Sequence, residues 1–192
     1  MTTKSPFQGQ TVVLRPFEPD DAPALQAYLN HPDLVGRRYI PWKFSDLAPL
    51  SRKQVEEIIQ KWGEEDKELH LAVVTRESGE LLGHCECDWG WDPHCPSVGL
   101  VIAPEHQRRG YGSQALDMLL CYLFEHTPAH NVSLWMADWN QAARTFAARH
   151  GFQEIGGMRR VGLRGGRSFD LVVADLLRPE WQARHGGGAH GA

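Results

Sequence analysis

No run of about 18 apolar residues occurs in the sequence, so no helix is expected to span a membrane. The first ten residues, MTTKSPFQGQ, lack the apolar centre of a secretory signal. Cysteine is scarce: Cys85, Cys87, Cys95 and Cys121 are the four among 192 residues, which excludes a disulfide framework and points to a reducing cytoplasm. No C-x-x-C knuckle is present, and strand alternation would turn His84 away from Cys85 and Cys87, so no metal is expected. Excess charge is also missing. Lys and Arg number 20 against 24 Asp and Glu, for a net charge of −4. That balance gives no broad nucleic-acid surface and is compatible with a cationic substrate. There is no G-x-x-x-x-G-K-[ST] loop and no G-x-G-x-x-G after a strand, which excludes those two nucleotide cradles. No internal repeat is visible.

What is there is an ordinary globular composition, 42% hydrophobic and 23% charged. The expectation is one domain over residues 1–182 and a disordered tail over 183–192. Val12 to Arg15 spells a short strand, and Pro19, Asp20 and Asp21 open a helix to about Asn30. A proline-rich stretch over 31–50 follows, long enough to be a substrate wall. Ser51 caps a second helix with Val55, Ile58, Ile59 and Trp62 on one stripe. LHLAVVT and LLGHCECDW form a hairpin through the turn at Gly79, and SVGLVIA is a third strand. A helix from about Gly112 to Glu125 carries Leu116, Leu119, Leu120 and Leu123 at helical spacing. Strand VSLWMAD, helix NQAARTFAARH, strand FQEIGGMRRVGL, a turn at Gly165–Gly166 and strand SFDLVVADL complete the order. This is an α+β pattern: a mixed, mostly antiparallel central sheet with helices on both faces.

The segment EHQRRGYGS sits where strand SVGLVIA hands over to a helix. A helix start leaves backbone N–H groups unpaired and partly positive, a ready anion site. Gly110 and Gly112 let an anion approach the backbone, and Arg108 and Arg109 add charge. A pyrophosphate suits such a loop.

QRRGYG resembles the Q/R-x-x-G-x-G/A signature of the GNAT superfamily of acyl-coenzyme A-dependent N-acetyltransferases. Thirty-three residues after Gln107, NQAARTFAARHGF resembles that superfamily's N-x-x-A/S helix ending in G-F. VVLRPFEPDDAPAL and GRSFDLVVADLLRPEW are similar to the opening and closing segments of its Rim-type branch, which includes ribosomal-protein N-terminal acetyltransferases. The resemblance spans roughly residues 10 to 182. It implies a single GNAT-like domain that uses acetyl-coenzyme A as acetyl donor. Gln107, Arg108, Arg109, Gly110, Gly112 and Ser113 would hold the pyrophosphate. Val101 and Ile102 would offer backbone groups to the pantetheine arm, with Asn140 close by. A bulge at Gly99 would splay this strand from VSLWMAD and open the slot.

The same comparison finds catalytic side chains missing. Where many relatives carry a Tyr that protonates the coenzyme thiolate, this sequence has Ala147, next to Phe146; Ala143 takes a position often held by Ser. A thiol of reference pKa about 8.5 can instead be protonated by water. The strand position often held by a basic Glu is Ser97. Alternation puts His84, Glu86 and Asp88 on one face, so Glu86 or Asp88 is the candidate general base. Tyr39, Trp42 and Trp89 are candidates for an acceptor wall, with Trp91, Trp135 and Trp139 near the same strand ends.

At pH 7 roughly 14% of an α-amine but roughly 0.04% of a lysine amine is neutral, which favours a protein or peptide amino terminus as acceptor. A small amine or aminoglycoside stays open, as do a non-catalytic acyl-coenzyme A sensor and a nucleic-acid binder. No nucleic-acid or membrane partner is expected, and the oligomeric state, a dimer included, is not settled by sequence.

Overall fold

The computed structural model describes residues 5–32, 34, 49–64, 66–90 and 92–185. Its strands are β1 (Val12–Arg15), β2 (Glu68–Thr75), β3 (Leu81–Asp88), β4 (Ser97–Ile102), β5 (Asn131–Ala137), β6 (Gln153–Arg164) and β7 (Arg167–Leu177). Its helices are α1 (Ala22–Leu29), α2 (Arg52–Glu64), α3 (Tyr111–His126), α4 (Gln141–Arg149) and α5 (Arg178–His185). The strands form one seven-stranded sheet in the order β1-β2-β3-β4-β5-β7-β6. Every neighbouring pair is antiparallel except β4–β5, which α3 connects as a crossover. The mixed, mostly antiparallel α+β arrangement is therefore the one expected.

Alternation along β2 sends Leu71 and Val73 to one face of the sheet and His70, Ala72 and Val74 to the other. The first face packs under α3, whose Leu116, Leu119, Leu120 and Leu123 are buried at the predicted spacing. The second face packs under α1 and α2 through Leu25, Tyr28, Val55 and Ile59. Each buried Leu or Ile side chain contributes about 1.5–3 kcal/mol of apolar burial, so both layers are anchored to the sheet that carries the site. No helix among the described residues is long and apolar enough to cross a membrane.

The structure departs from the sequence expectation in three places. The first helix begins as a 3-10 turn over Pro19–Asp21 before α1 starts; Arg15 grips Asp21 there through two hydrogen bonds of 2.7 and 2.8 Å. The tail does not begin at 183. LRPEW folds into α5, which runs through His185, because Trp181 has an apolar seat against Phe124, ring centroids 5.5 Å apart. Residues 186–192 lie outside the described residues.

The third departure concerns Gly99. β3 and β4 pair without interruption from Asp88↔Ser97 to Gly83↔Ile102, so there is no bulge at Gly99. The irregularity sits one strand over, where the β2–β3 register jumps from Val73↔Gly83 to Val74↔Leu81 and leaves Leu82 as the extra residue. β4 and β5 nevertheless part. They are bridged at Ser97↔Ser133, where Ser133 N–H donates to Pro96 O over 2.9 Å. From there β4 stays with β3 while β5 stays with β7 along Asn131↔Leu177 to Ala137↔Leu171. Two strands each held by an outer neighbour twist apart, and the sheet opens without a bulge.

Candidate active site

The loop between β4 and α3 is shaped by backbone conformation. After a 3-10 turn at Pro104–His106, Gln107 donates its side-chain N–H to Ile102 O over 2.8 Å and ties the loop to the end of β4. Arg108 and Gly110 both adopt the left-handed region, with φ of 60° and 84°. Gly110 is the N-cap of α3 and makes no side-chain cap. The first N–H groups of the helix therefore point outward unpaired, with the positive end of the dipole behind them. Gly112 packs closely on the end of β4: a Cβ there would stand 3.3 Å from Ile102 Cγ1 and 3.5 Å from Leu100 Cδ2, so a side chain would have to push Ile102 aside slightly. The Ser113 hydroxyl is oriented by His150 Nε2 at 3.1 Å, whose Nδ1 lies 3.1 Å from Asp117 Oδ1. His150, in the α4 C-cap, carried no sequence signal; only the packing of α4 on α3 brings it here. This cradle of N–H groups, hydroxyl and arginine fits a pyrophosphate.

From the cradle a cleft of ≈ 1420 Å³ runs into the gap between β4 and β5. Ala103 N–H donates to Leu82 O on β3, and Ile102 O faces Gln107. With a period of two, the backbone groups of Leu100 and Ile102 turn to the gap and those of Gly99 and Val101 turn to β3. The Ile102 backbone is thus available to a bound arm, whereas Val101 presents a side chain and spends its backbone on β3. Asn140 lines the cleft and caps α4, its Oδ1 accepting from Ala143 N–H over 3.2 Å. Phe146 and the buried Ala147 close the wall, so no hydroxyl acid stands at the position where relatives carry Tyr.

The far side of the cleft is polar. Glu86 and His84 reach it from β3 and Trp62 from α2. Glu86 needs the space that Gly99 leaves, since a Cβ on Gly99 would lie 2.6 Å from Glu86 Oε1. Behind Glu86 lies His70, almost wholly buried, with Nδ1 3.6 Å from Glu86 Oε2 and Nε2 2.7 Å from Glu68 Oε2. A carboxylate only accepts, so Nε2 is placed to donate to Glu68; Nδ1 faces Glu86 beyond hydrogen-bond distance and is buried with no hydrogen-bond partner. Trp62 stacks on His70 at 4.7 Å and 13°. Tyr28 O–H lies 2.7 Å from His84 Nδ1. His70 carried no sequence signal because its approach to Glu86 depends on strand register.

The remaining candidates are scattered. Asp88 does not line the cleft; its Oδ1 accepts from Gly90 N–H over 2.5 Å and closes a turn. Arg109 is exposed and outside the cleft lining. Trp89 packs against the core on the α3 side of the sheet, whereas Trp135 lines the cleft. Tyr39, Trp42 and Trp91 lie outside the described residues. Cys85 and Cys87 are buried on the face away from Glu86; burial and the Glu86 charge push the Cys85 thiol up to about 12, so it stays protonated and inert.

Comparison with known proteins agrees with this fold. The GNAT acetyltransferase domain model matches residues 11–153. The chain is 23% identical over 177 residues to the Bacillus subtilis "Uncharacterized N-acetyltransferase YoaA", covering 90% of this chain and 97% of that one. It is 27% identical over 178 residues to the "Putative ribosomal N-acetyltransferase YdaF" of the same organism, covering 91% and 95%. Among solved structures, a GNAT-family acetyltransferase from Bacillus anthracis superposes with a TM-score of 0.77 at 19% identity, covering 90% of this chain and 98% of that one. Spermidine N-acetyltransferase from Vibrio cholerae, solved with CoA and spermine, gives 0.75 at 22% identity, covering 89% and 98%; both share the fold. A non-catalytic coenzyme sensor is not what these relatives are named for. The chain belongs to the GNAT family and is an acetyl-coenzyme A-dependent N-acetyltransferase.

Proposed function

We propose that the enzyme acetylates the α-amine of a protein or peptide amino terminus, with Glu86 as general base. The observation that carries this reading is the Glu86–His70–Glu68 line, which runs from the cleft through a buried imidazole to a half-exposed carboxylate. Gly110, Gly112, Ser113 and the start of α3 hold the coenzyme's pyrophosphate, and the Ile102 backbone and Asn140 flank its arm. When bound, acetyl-coenzyme A supplies a thioester whose C–S bond breaks as the new N–C bond forms. Glu86 accepts the proton of the incoming ammonium. It passes that proton to Nδ1 of His70 by a small turn of its own side chain, while Nε2–H goes to Glu68 and on to water. Trp62 keeps the imidazole dry and oriented. The second N–H proton, lost from nitrogen as the amide forms, goes to cleft water, and the departing thiolate takes a proton from water in its turn, since Ala147 offers none.

A single carboxylate base suits an α-amine, of which roughly 14% is already neutral at pH 7 against roughly 0.04% for lysine. The name of YdaF, a ribosomal N-acetyltransferase, supports the same class, and the Rim-type end segments agree with it. The test is an acetyl-transfer screen across amino-terminal peptides, lysine side chains, polyamines and aminoglycosides, read by thiol release. Turnover concentrated on α-amines is expected; turnover confined to polyamines, aminoglycosides or lysine overturns the assignment.

A further inference from the structure

The cleft shares Asn140, Gln141 and Ala142 with a second cavity of ≈ 600 Å³ on the side of the β6–β7 hairpin. Its other walls are Asp138, Trp139, Arg164, Arg167, Ser168 and Phe169. Arg164 and Arg167 flank the Gly165–Gly166 turn and are direct cross-strand partners. Both glycines have positive φ, 56° and 76°, the geometry of a two-residue hairpin turn that holds its flanking residues in register. Direct partners project to the same face, and like charges placed so repel each other.

Both side chains are exposed, so water screens part of that repulsion. Among the described residues neither guanidinium has an ion-pair partner, whereas Arg144, one helix turn into α4, is paired with Glu154 at 2.7 Å. Of the two acidic side chains closest in sequence and sheet, Asp170 spends its Oδ1 on Arg160 N–H at 2.8 Å. Asp138 is itself a wall of the cavity, its Oδ1 buried without a hydrogen-bond partner. Arg164 is held over the cavity by Trp139, its guanidinium carbon 3.7 Å from the ring centroid, a cation–π contact that fixes where the charge points. A hairpin tip needs no charge at these positions. Two opposed arginines facing a cavity are relieved by an anion between them, and planar guanidinium groups match a carboxylate.

We infer that this cavity is an anion subsite for the acceptor. It receives a carboxylate carried a short distance beyond the amine, so the preferred acceptors are amino termini followed by acidic residues. The inference rests on the amino-terminal assignment above and gives it a sequence preference. It also sets this chain apart from a polycation enzyme, since spermine would bring like charge against both arginines. The overall charge of −4 is no guide here, because recognition is set by the local field.

The test uses the full chain and three peptides identical except at residues two to four, which are glutamate, alanine or lysine. Steady-state transfer is measured for the wild type and the Arg164→Ala/Arg167→Ala variant. Binding of the same peptides to CoA-saturated enzyme is measured separately by calorimetry. The glutamate peptide is expected to exceed the alanine peptide by roughly fivefold to tenfold in kcat/KM, with lysine weakest. The double variant should erase that ranking while leaving the alanine peptide and the KM for acetyl-coenzyme A unchanged, which also shows that the variant is folded. Equal binding of glutamate and lysine peptides to the wild type overturns the subsite. So does a variant that weakens acetyl-coenzyme A instead of the acidic peptide. Charge-ranked binding without turnover on any peptide would retain the subsite and reject the amino-terminal reaction, so the two claims fail separately.

Discussion

The two ends of the cleft are built on different principles. The proposed coenzyme end is made of backbone: a left-handed Arg108, a left-handed Gly110 and the open N–H groups of α3, all within seven consecutive residues. The proposed acceptor end is made of side chains: Trp62 from α2 and His84 and Glu86 from β3 line the cleft, with Tyr28 from α1 and His70 and Glu68 from β2 behind them. A backbone site survives most changes of side chain but not an added Cβ in the wrong place. A side-chain site survives changes in neighbouring loops but depends on strand register to the residue. One end is therefore local and steric, the other non-local and electrostatic.

The largest effect that would break this contrast is expected from Gly112→Glu. Its Cβ would press on Ile102 at 3.3 Å and its carboxylate would occupy the anion cradle. Coenzyme A affinity should fall by about 100-fold or more, given the several kcal/mol that a like charge at a desolvated anion site costs, while circular dichroism stays that of the parent. Unchanged affinity would mean that the cradle is not where the coenzyme binds.

Glu86→Gln comes next and probes the opposite end. It should lower kcat by about 10²- to 10³-fold, the usual worth of a positioned base, with the KM for acetyl-coenzyme A unmoved. His70→Gly should cost less, roughly tenfold, and added imidazole, which fits the space vacated, should restore part of it, which a purely structural role of His70 would not allow. If coenzyme affinity fell with either variant, the two ends would not be independent. The smallest effect belongs to Asn140→Ala at the junction of the two ends. Loss of the cap on α4 should destabilise by about 1 kcal/mol, read as a lower Tm, with acceptor ranking preserved.

The proposed coenzyme end could be read from sequence because its residues are contiguous. Glycines at a strand-to-helix junction mean close backbone approach wherever they sit. The proposed base Glu86 was readable only as one of two carboxylates on a face, and what separates the two is seen only in three dimensions. Asp88 has a backbone N–H to satisfy at Gly90, whereas Glu86 has an empty space opposite, at Gly99. Trp89 was drawn to the acceptor wall by its position near strand ends, but the core on the α3 face holds it instead. The splayed slot was expected for the right strands and by the wrong device, since divergence of β4 from β5 needs no bulge.

By itself the sequence determined the order of elements, the alternation that commits each strand residue to a face, and the anion-seeking loop at the start of α3. Those are properties of short segments, set by sterics and periodicity within a few residues. Only the tertiary structure decided which faces meet. Carrying the Val74↔Leu81 pairing straight down the hairpin would set His70 opposite Cys85. The extra residue at Leu82 shifts the register so that His70 stands opposite Glu86. Because side chains alternate with a period of two, that single residue places the imidazole beside the carboxylate that it can serve.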